Sequence, residues 1–301
     1  MASFLSHSRA SLNRMPQPTS VTGPDRRRES IVAYVTRHGT ARVEELARHF
    51  DVSQMTVHRD LDALAAGHLV ERIRGGARSV TPSMSELAVG QRRQLHRNTK
   101  TALCALAAEL IEDGAVVAVD DSTTLEPLIG LLPDRNPSAL VTHSLAAMYN
   151  HSRRSGASTI RLIACGGRYI PETDSFLGAG TTEQIRRLSA DLTFVSTTSL
   201  RATSTGTALF HPDIEAADTK QALLDIGQTK VLVVDATKFD APGLFKVADL
   251  TDFDHIVTDS ATTPEQRARL AASGAALHIT GGTHSADHGG TRSAVHGGEE
   301  N

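Results

Sequence analysis

Residues 43–77 read VEELARHFDVSQMTVHRDLDALAAGHLVERIRGGA, and this stretch decides the fold of the N-terminal part of the chain. Its apolar residues fall at helical spacing through Leu46, Ala47 and Phe50, break at Asp51-Val52-Ser53, and resume through Met55, Val57, Leu61 and Leu64. Two short helices joined by a tight turn are predicted, the pattern of a helix-turn-helix. Ser53 stands where an N-cap is wanted, its hydroxyl able to accept from an amide of the second helix's first turn, and Gly67 suits the position where that helix stops. Between these caps the outward positions are Gln54, Thr56, His58 and Arg59, side chains that bond base edges and phosphates when the start of a helix enters the major groove. After Gly67 the chain alternates through Leu69, Val70, Glu71, Arg72, Ile73 and Arg74 and turns at Gly75-Gly76, which reads as a small hairpin with arginines on its exposed side. The whole is a winged helix-turn-helix over residues 25–80, its first helix running from about Asp25 to His38 and ended by Gly39. Double-stranded DNA is the partner this chemistry suits, through Ser53, Gln54, Thr56, His58, Arg59, Arg72, Arg74 and Gly75.

Outside this stretch, Arg26, Arg27 and Arg28 suit either a solvated face or a phosphate contact. The 301 residues allow one small and one ordinary domain, and 40% apolar content is enough for two cores. A net charge of −3 argues against polyanion binding by the whole surface, so positive charge has to be local to the N-terminal unit. Cys104 and Cys165 lack the spacing of a zinc site and read as small core residues in a reducing compartment. No apolar run reaches the roughly twenty residues of a bilayer span, and no leader pattern opens the chain, so a cytoplasmic location is expected with no membrane partner. Residues 1–24 and 281–301 are rich in small and polar types without periodicity and read as disordered tails. His284, His288 and His296 in the second tail have no compact ligand spacing, so neither a metal nor a cofactor is expected.

Residues 81–112 read as a linker followed by a helix bridging the two domains, with an apolar stripe through Leu103, Cys104, Leu106, Ala107, Leu110 and Ile111. Arg92, Arg93, Arg97 and Lys100 lie on its polar part, open to solvent, DNA phosphate or an anionic ligand. Residues 113–280 alternate short β-rich runs (115–119, 139–142, 160–164, 192–195, 231–234 and 255–258) with helical stretches at 123–132, 145–155, 183–188, 214–226 and 264–273. A mostly parallel α/β domain follows. In such sheets ligands settle beyond the carboxyl ends of the strands, and the residues there are unusually polar. Asp120-Asp121-Ser122-Thr123-Thr124 follows the first run, a cradle of hydroxyls and amides for an anion with carboxylates that suit sugar hydroxyls. Thr142-His143-Ser144 follows the second and Gly166-Gly167 the third. Farther on, Glu215, Lys220, Asp235 and Lys238 supply charges that pair with hydroxyls and a phosphate.

The string VSQMTVHRDLDALAAGHLVERIRGGA resembles the DNA-binding signature of DeoR-type transcriptional regulators, with its Val-Ser start, Thr, Arg-Asp-Leu and the Gly-Gly after the wing. DDSTT, THSL, SFLGAGTTEQIRRL, EAADTK and DATKFD are similar to the strings of that family's sensor domain over most of residues 90–280. The resemblance implies a fold related to ribose-5-phosphate isomerase and an effector that is a phosphorylated sugar or related metabolite. It places Asp120, Ser122, Thr123, Thr124, Thr142, Ser144, Gly167, Glu215, Lys220, Asp235 and Lys238 in the effector pocket. Departures from the pattern are His58 for an arginine, Arg42 for a capping Ser or Thr, Asp121 for a serine, Ser122 for a glycine and His143 for an asparagine. The expected protein is a homo-oligomeric repressor of carbohydrate-metabolism genes, with no catalytic residue. The rival reading is a sugar-phosphate isomerase carrying a helix-turn-helix, with Glu215 and Asp235 as general base and acid and Lys220 steadying an enediolate.

Overall fold

The computed structural model describes residues 24–66, 69–79, 89–154 and 160–281, and the chain divides into two compact units between His96 and Arg97. Residues 1–23 and 282–301 of the expected tails, Gly67 and residues 81–88 of the expected linker lie outside the described residues.

In the first unit, helix Pro24–His38 is stopped by Gly39 at φ 76°, and strand Thr40–Arg42 leads into helix Val43–Phe50. Asp51, left-handed at φ 52°, turns the chain, and Val52 N–H donates to Ala47 O before helix Gln54–Ala66 begins. Ser53 Oγ accepts from Thr56 N–H at 3.1 Å, the cap that the spacing anticipates. Ile31, Val35, Leu46, Val57 and Leu61 are fully buried, one per helical turn from three helices, and close a single apolar core. The hairpin Val70–Ile73 and Gly76–Ser79 follows, and Thr40–Arg42 adds a third antiparallel strand to it. That strand was not foreseen, because three residues are too few to show a period. It explains Gly76: a Cβ there would stand 2.2 Å from Ala41 O, so only glycine lets the strands approach. Arg27 Nε and Arg28 Nε donate to the buried Asp60 at 2.6 and 3.0 Å, which ties the first helix to the third. Those two arginines are therefore structural, while the side chain of Arg26 is not among those described.

The second unit is built on seven parallel strands in the spatial order Ala276–Ile279, His255–Thr258, Gly227–Val234, Ala190–Val195, Val116–Val119, Ala139–Thr142 and Arg161–Ala164. Along Val116–Val119, Val117 and Val119 enter one core and Ala118 the other, so the sheet is covered on both faces and its strands read as apolar runs. Helix Arg97–Ala108, expected as a bridge, seats Leu103, Cys104, Ala107 and Ala108 in the core of this unit. The apolar stripe of this helix packs against the sheet. The predicted helix 123–132 is two short ones, Glu126–Ile129 and Leu132–Arg135, because Pro127 and Pro133 lack the N–H that a continuous helix needs. Also beyond the reading are strand Ala276–Ile279, an antiparallel sheet of Ser199–Thr203, Gly206–His211 and Phe245–Asp249, and the hairpin Arg168–Ile170 with Ser175–Leu177.

The chain leaves Val116–Val119 toward one sheet edge, through Ala139–Thr142 and Arg161–Ala164, then returns to its other side at Ala190–Val195. The connections diverge to opposite faces there, and in sheets of this kind ligands settle beyond the carboxyl ends of the two strands at such a point. Asp120 follows the first and Ser196 the second, and Ser196 N–H donates to Asp120 Oδ2 at 2.9 Å across the switch point.

Candidate functional site

Helix Gln54–Ala66 turns Val57, Asp60, Leu61 and Leu64 inward and leaves Gln54, Met55, His58, Arg59 and Asp62 exposed. Met55 is 65% exposed, an apolar group beside polar ones at the helix start. Ser53 is engaged by its cap, its hydroxyl also 2.9 Å from that of the half-buried Thr56. Arg74 and Gly75 sit exposed at the wing tip, with Gly75 at φ 79° in the turn. Arg72 behaves differently from a free wing arginine: its Nε lies 3.1 Å from Asp62 Oδ1, its Nη1 donates to Gly76 O at 3.2 Å, and its Nη2 donates to His58 Nδ1 at 3.0 Å. Of the expected DNA residues, Ser53, Gln54, His58, Arg59, Arg74 and Gly75 are exposed and Thr56 and Arg72 half-buried, with Ser53 and Arg72 also bonded within the unit.

In the second unit a polar cluster lies at the switch point. Lys220, carried inward on helix Ile214–Ile226, donates to Asp120 Oδ2 at 2.5 Å and to Asp121 Oδ1 at 3.1 Å. All three are buried in a position where water cannot screen them. Asp120 Oδ1 also accepts from Ser122 N–H at 2.8 Å, and Asp121 Oδ2 accepts from Ser175 Oγ at 2.8 Å. His143 is buried with Nε2 3.6 Å from Asp121 Oδ1, and neither ring nitrogen has a hydrogen-bond partner among the described residues. Lys100 Nζ donates to Thr123 Oγ1 at 3.0 Å from the neighbouring helix. Ser144 N–H donates to Thr142 Oγ1, and Ser144 Oγ accepts from Ala147 N–H, so these two residues shape the strand-to-helix turn around His143. Ser122 Oγ likewise accepts from Thr124 N–H.

The other candidates stand elsewhere around the rim. Gly167 packs so closely on helix Ala179–Arg186 that a Cβ would fall 2.0 Å from Thr181 Oγ1. Glu215 accepts from Arg168 on the hairpin. Asp235 caps a separate turn, accepting from Thr237 N–H at 2.9 Å, and the half-buried Lys238 ends that turn. Sequence reasoning missed Ser175 and Ser196 as members of the cluster, and it left the side to which Lys100 turns undecided. Nothing in their local strings marks them, because the first two arrive from distant elements and the third shares its helix with solvent-facing residues.

Burial works to raise the Asp121 carboxyl, but Lys220 first and then His143 outweigh it and hold it well below its ordinary 3.8. Burial works to lower the Lys220 ammonium, and the carboxylates of Asp120 and Asp121 overcome it and raise it above 10.5. The depressed Asp121 contributes stability that is present above its unfolded value and lost as pH falls through the folded one. The raised Lys220 contributes stability that is present below its unfolded value and lost as pH rises through the folded one. Urea unfolding of the second unit is therefore expected to hold a plateau between about pH 4 and pH 10 and to weaken on both sides. A midpoint that climbs steadily through that window would show that the cluster is not ionised as described. Cys104 and Cys165 are buried free thiols, and burial pushes the first up to about 12, so both are core groups.

Among the described residues no helix is long and apolar enough to cross a membrane. Residues 27–83 match the DeoR-like helix-turn-helix domain, and residues 95–260, more than half of the chain, match the DeoR C terminal sensor domain. The chain is 30% identical to the lactose phosphotransferase system repressor of Lactococcus lactis subsp. lactis, over 80% of this chain and 92% of that protein. It is 28% identical to the L-fucose operon activator of Haemophilus influenzae, over 77% of this chain and 91% of that protein. Ribose 5-phosphate isomerase A of Methanocaldococcus jannaschii shares 14% identity over 48% of this chain and 54% of its own, with a TM-score of 0.34, too slight a likeness to argue from. With a winged helix-turn-helix, a parallel α/β unit and both family domains in order along one chain, the protein belongs to the DeoR family of transcriptional regulators.

Proposed function

We propose that the chain is a cytoplasmic repressor of carbohydrate-metabolism genes that binds double-stranded operator DNA through helix Gln54–Ala66 and answers to a phosphorylated sugar in the second unit. The observation that carries the effector reading is the buried Asp120–Asp121–Lys220 cluster, with Lys100 on Thr123, at the topological switch point of the sheet. Asp120 and Asp121 suit sugar hydroxyls, while the Ser122-Thr123-Thr124 turn beside Lys100 suits a phosphate. The names of the lactose and L-fucose relatives support a sugar-linked role. A paired reader on a paired site calls for a homo-oligomer. The effector has to favour one arrangement of the DNA-binding units over another, since equal affinity for both shifts nothing.

No catalytic role is assigned. The groups that an isomerase would need are engaged in three separate places: Glu215 with Arg168, Asp235 with Thr237, and Lys220 with Asp120 and Asp121. Incubation of the full chain with ribose 5-phosphate and fructose 6-phosphate is expected to raise its melting temperature for at least one of them without turnover. Turnover would move the protein to the isomerase reading, and no shift with either would remove these two effectors. For the DNA unit, Arg59→Ala is expected to weaken binding to a selected duplex by more than about 1 kcal/mol at fixed salt. Unchanged affinity would take Arg59 out of the interface.

A further inference from the structure

His58 stands on the exposed face of helix Gln54–Ala66, and Arg72 reaches it from the wing with Nη2 3.0 Å from His58 Nδ1. A guanidinium has donors only, so Nδ1 has to be the acceptor in this bond. The imidazole is then neutral and its single proton sits on Nε2. With Nδ1 occupied, Nε2–H is the one hydrogen-bonding group that the ring has left for a ligand. Arg72 is fixed on its other sides as well, by Asp62 of the same helix at 3.1 Å and by Gly76 O of its own hairpin at 3.2 Å. These contacts leave the guanidinium bridging helix and wing, with both ends held inside the unit.

From this geometry we infer that His58 reads a base edge as a pure hydrogen-bond donor, and that Arg72 is the positioning residue that sets its tautomer. The inference rests on the DNA-binding reading above and adds which base the helix prefers beneath His58. In the major groove guanine shows two neighbouring acceptors, N7 and O6, adenine and thymine one each, and cytosine an amino donor. A lone N–H donor favours guanine and rejects cytosine, where two donors would meet. An arginine in place of His58 would act otherwise, since it would set a second cation against Arg72 and offer it no acceptor.

The test is selection by the full-length protein from a pool of duplexes with a random core of roughly 24 base pairs, about two helical turns. The wild type is expected to enrich a consensus with guanine at one position per half-site, preferred about tenfold over cytosine there. His58→Gln is expected to keep that preference, because its amide oxygen accepts from Arg72 while its amide N–H donates outward. His58→Leu is expected to lose it at that position alone, with the rest of the consensus intact as the sign that the unit is folded. Arg72→Met is expected to relax the same position, and the double variant His58→Leu with Arg72→Met to relax it no further, the mark of a coupled pair. A His58→Leu protein that selects the wild-type consensus overturns the inference. So does an Arg72→Met protein that binds every duplex more weakly with a salt slope reduced by about one, since that is the loss of a phosphate contact. A wild type that enriches no sequence at all sinks the DNA-reading function itself, an outcome distinct from both.

Discussion

Replacing Lys220 with methionine is expected to destabilise the second unit by about 3–5 kcal/mol, the cost of leaving buried charge without its partner. The Lys220 side chain is 4% exposed, and its ammonium lies between two buried carboxylates, at 2.5 Å from Asp120 and 3.1 Å from Asp121. Methionine keeps the length of the side chain and removes only the charge, so the effect is electrostatic and not a cavity. Asp120 and Asp121 then face each other in a low-dielectric site, and one of them takes up a proton that it does not hold in the wild type. The loss should therefore shrink as pH falls from 7 toward 5, because the variant's raised carboxyl is satisfied in acid. The double variant Lys220→Met with Asp120→Asn should recover part of it. Urea unfolding at both pH values checks the sequence of effects, and a Lys220→Met midpoint equal to that of the wild type would dissolve the ion cluster. The same arithmetic makes Lys220 a poor probe of effector binding, since a silent variant and an unfolded one give the same lack of response.

Leu61→Ala is expected to abolish DNA binding by unfolding the first unit. Leu61 is fully buried at the centre of the core made by Ile31, Val35, Leu46 and Val57, and its truncation costs about 2–5 kcal/mol. A unit of this size has a total stability of only about 3–10 kcal/mol. The loss takes up most of it. Met55→Ala, six residues earlier on the same helix but 65% exposed, is the matched control and should leave unfolding unchanged. Far-ultraviolet circular dichroism during a thermal melt, followed by gel shift on a selected duplex, separates the two variants. A Leu61→Ala protein that melts like the wild type would mean that helix Gln54–Ala66 is not seated on this core.

The first unit was legible because its signals are local. The break at Asp51-Val52-Ser53 between two amphipathic runs is visible in any window of the chain, and the Ser53 cap and the Gly75-Gly76 turn fall where the spacing puts them. Partners that come from afar were not legible. Asp60 lies in a string that reads as recognition chemistry, yet it is buried under Arg27 and Arg28, more than thirty residues earlier. Arg72 reads as a wing arginine for DNA, and its three partners appear only when the hairpin folds back over the helix. The pocket shows the same division. The polar strings after the apolar strands mark where to look, whereas the choice among them depends on which strands are neighbours.

Period and punctuation in the chain determined by themselves that it has a winged helix-turn-helix followed by a mostly parallel α/β unit, since side-chain spacing and caps act within a few residues of each other. Tertiary structure alone decided that Lys220 meets Asp120 and Asp121 from a hundred residues away, that Asp235 and Lys238 belong to another turn, and that helix Arg97–Ala108 packs on the sheet. The reason is that burial and charge pairing follow distance in space, and the order of strands about the switch point, which no local pattern encodes, sets those distances.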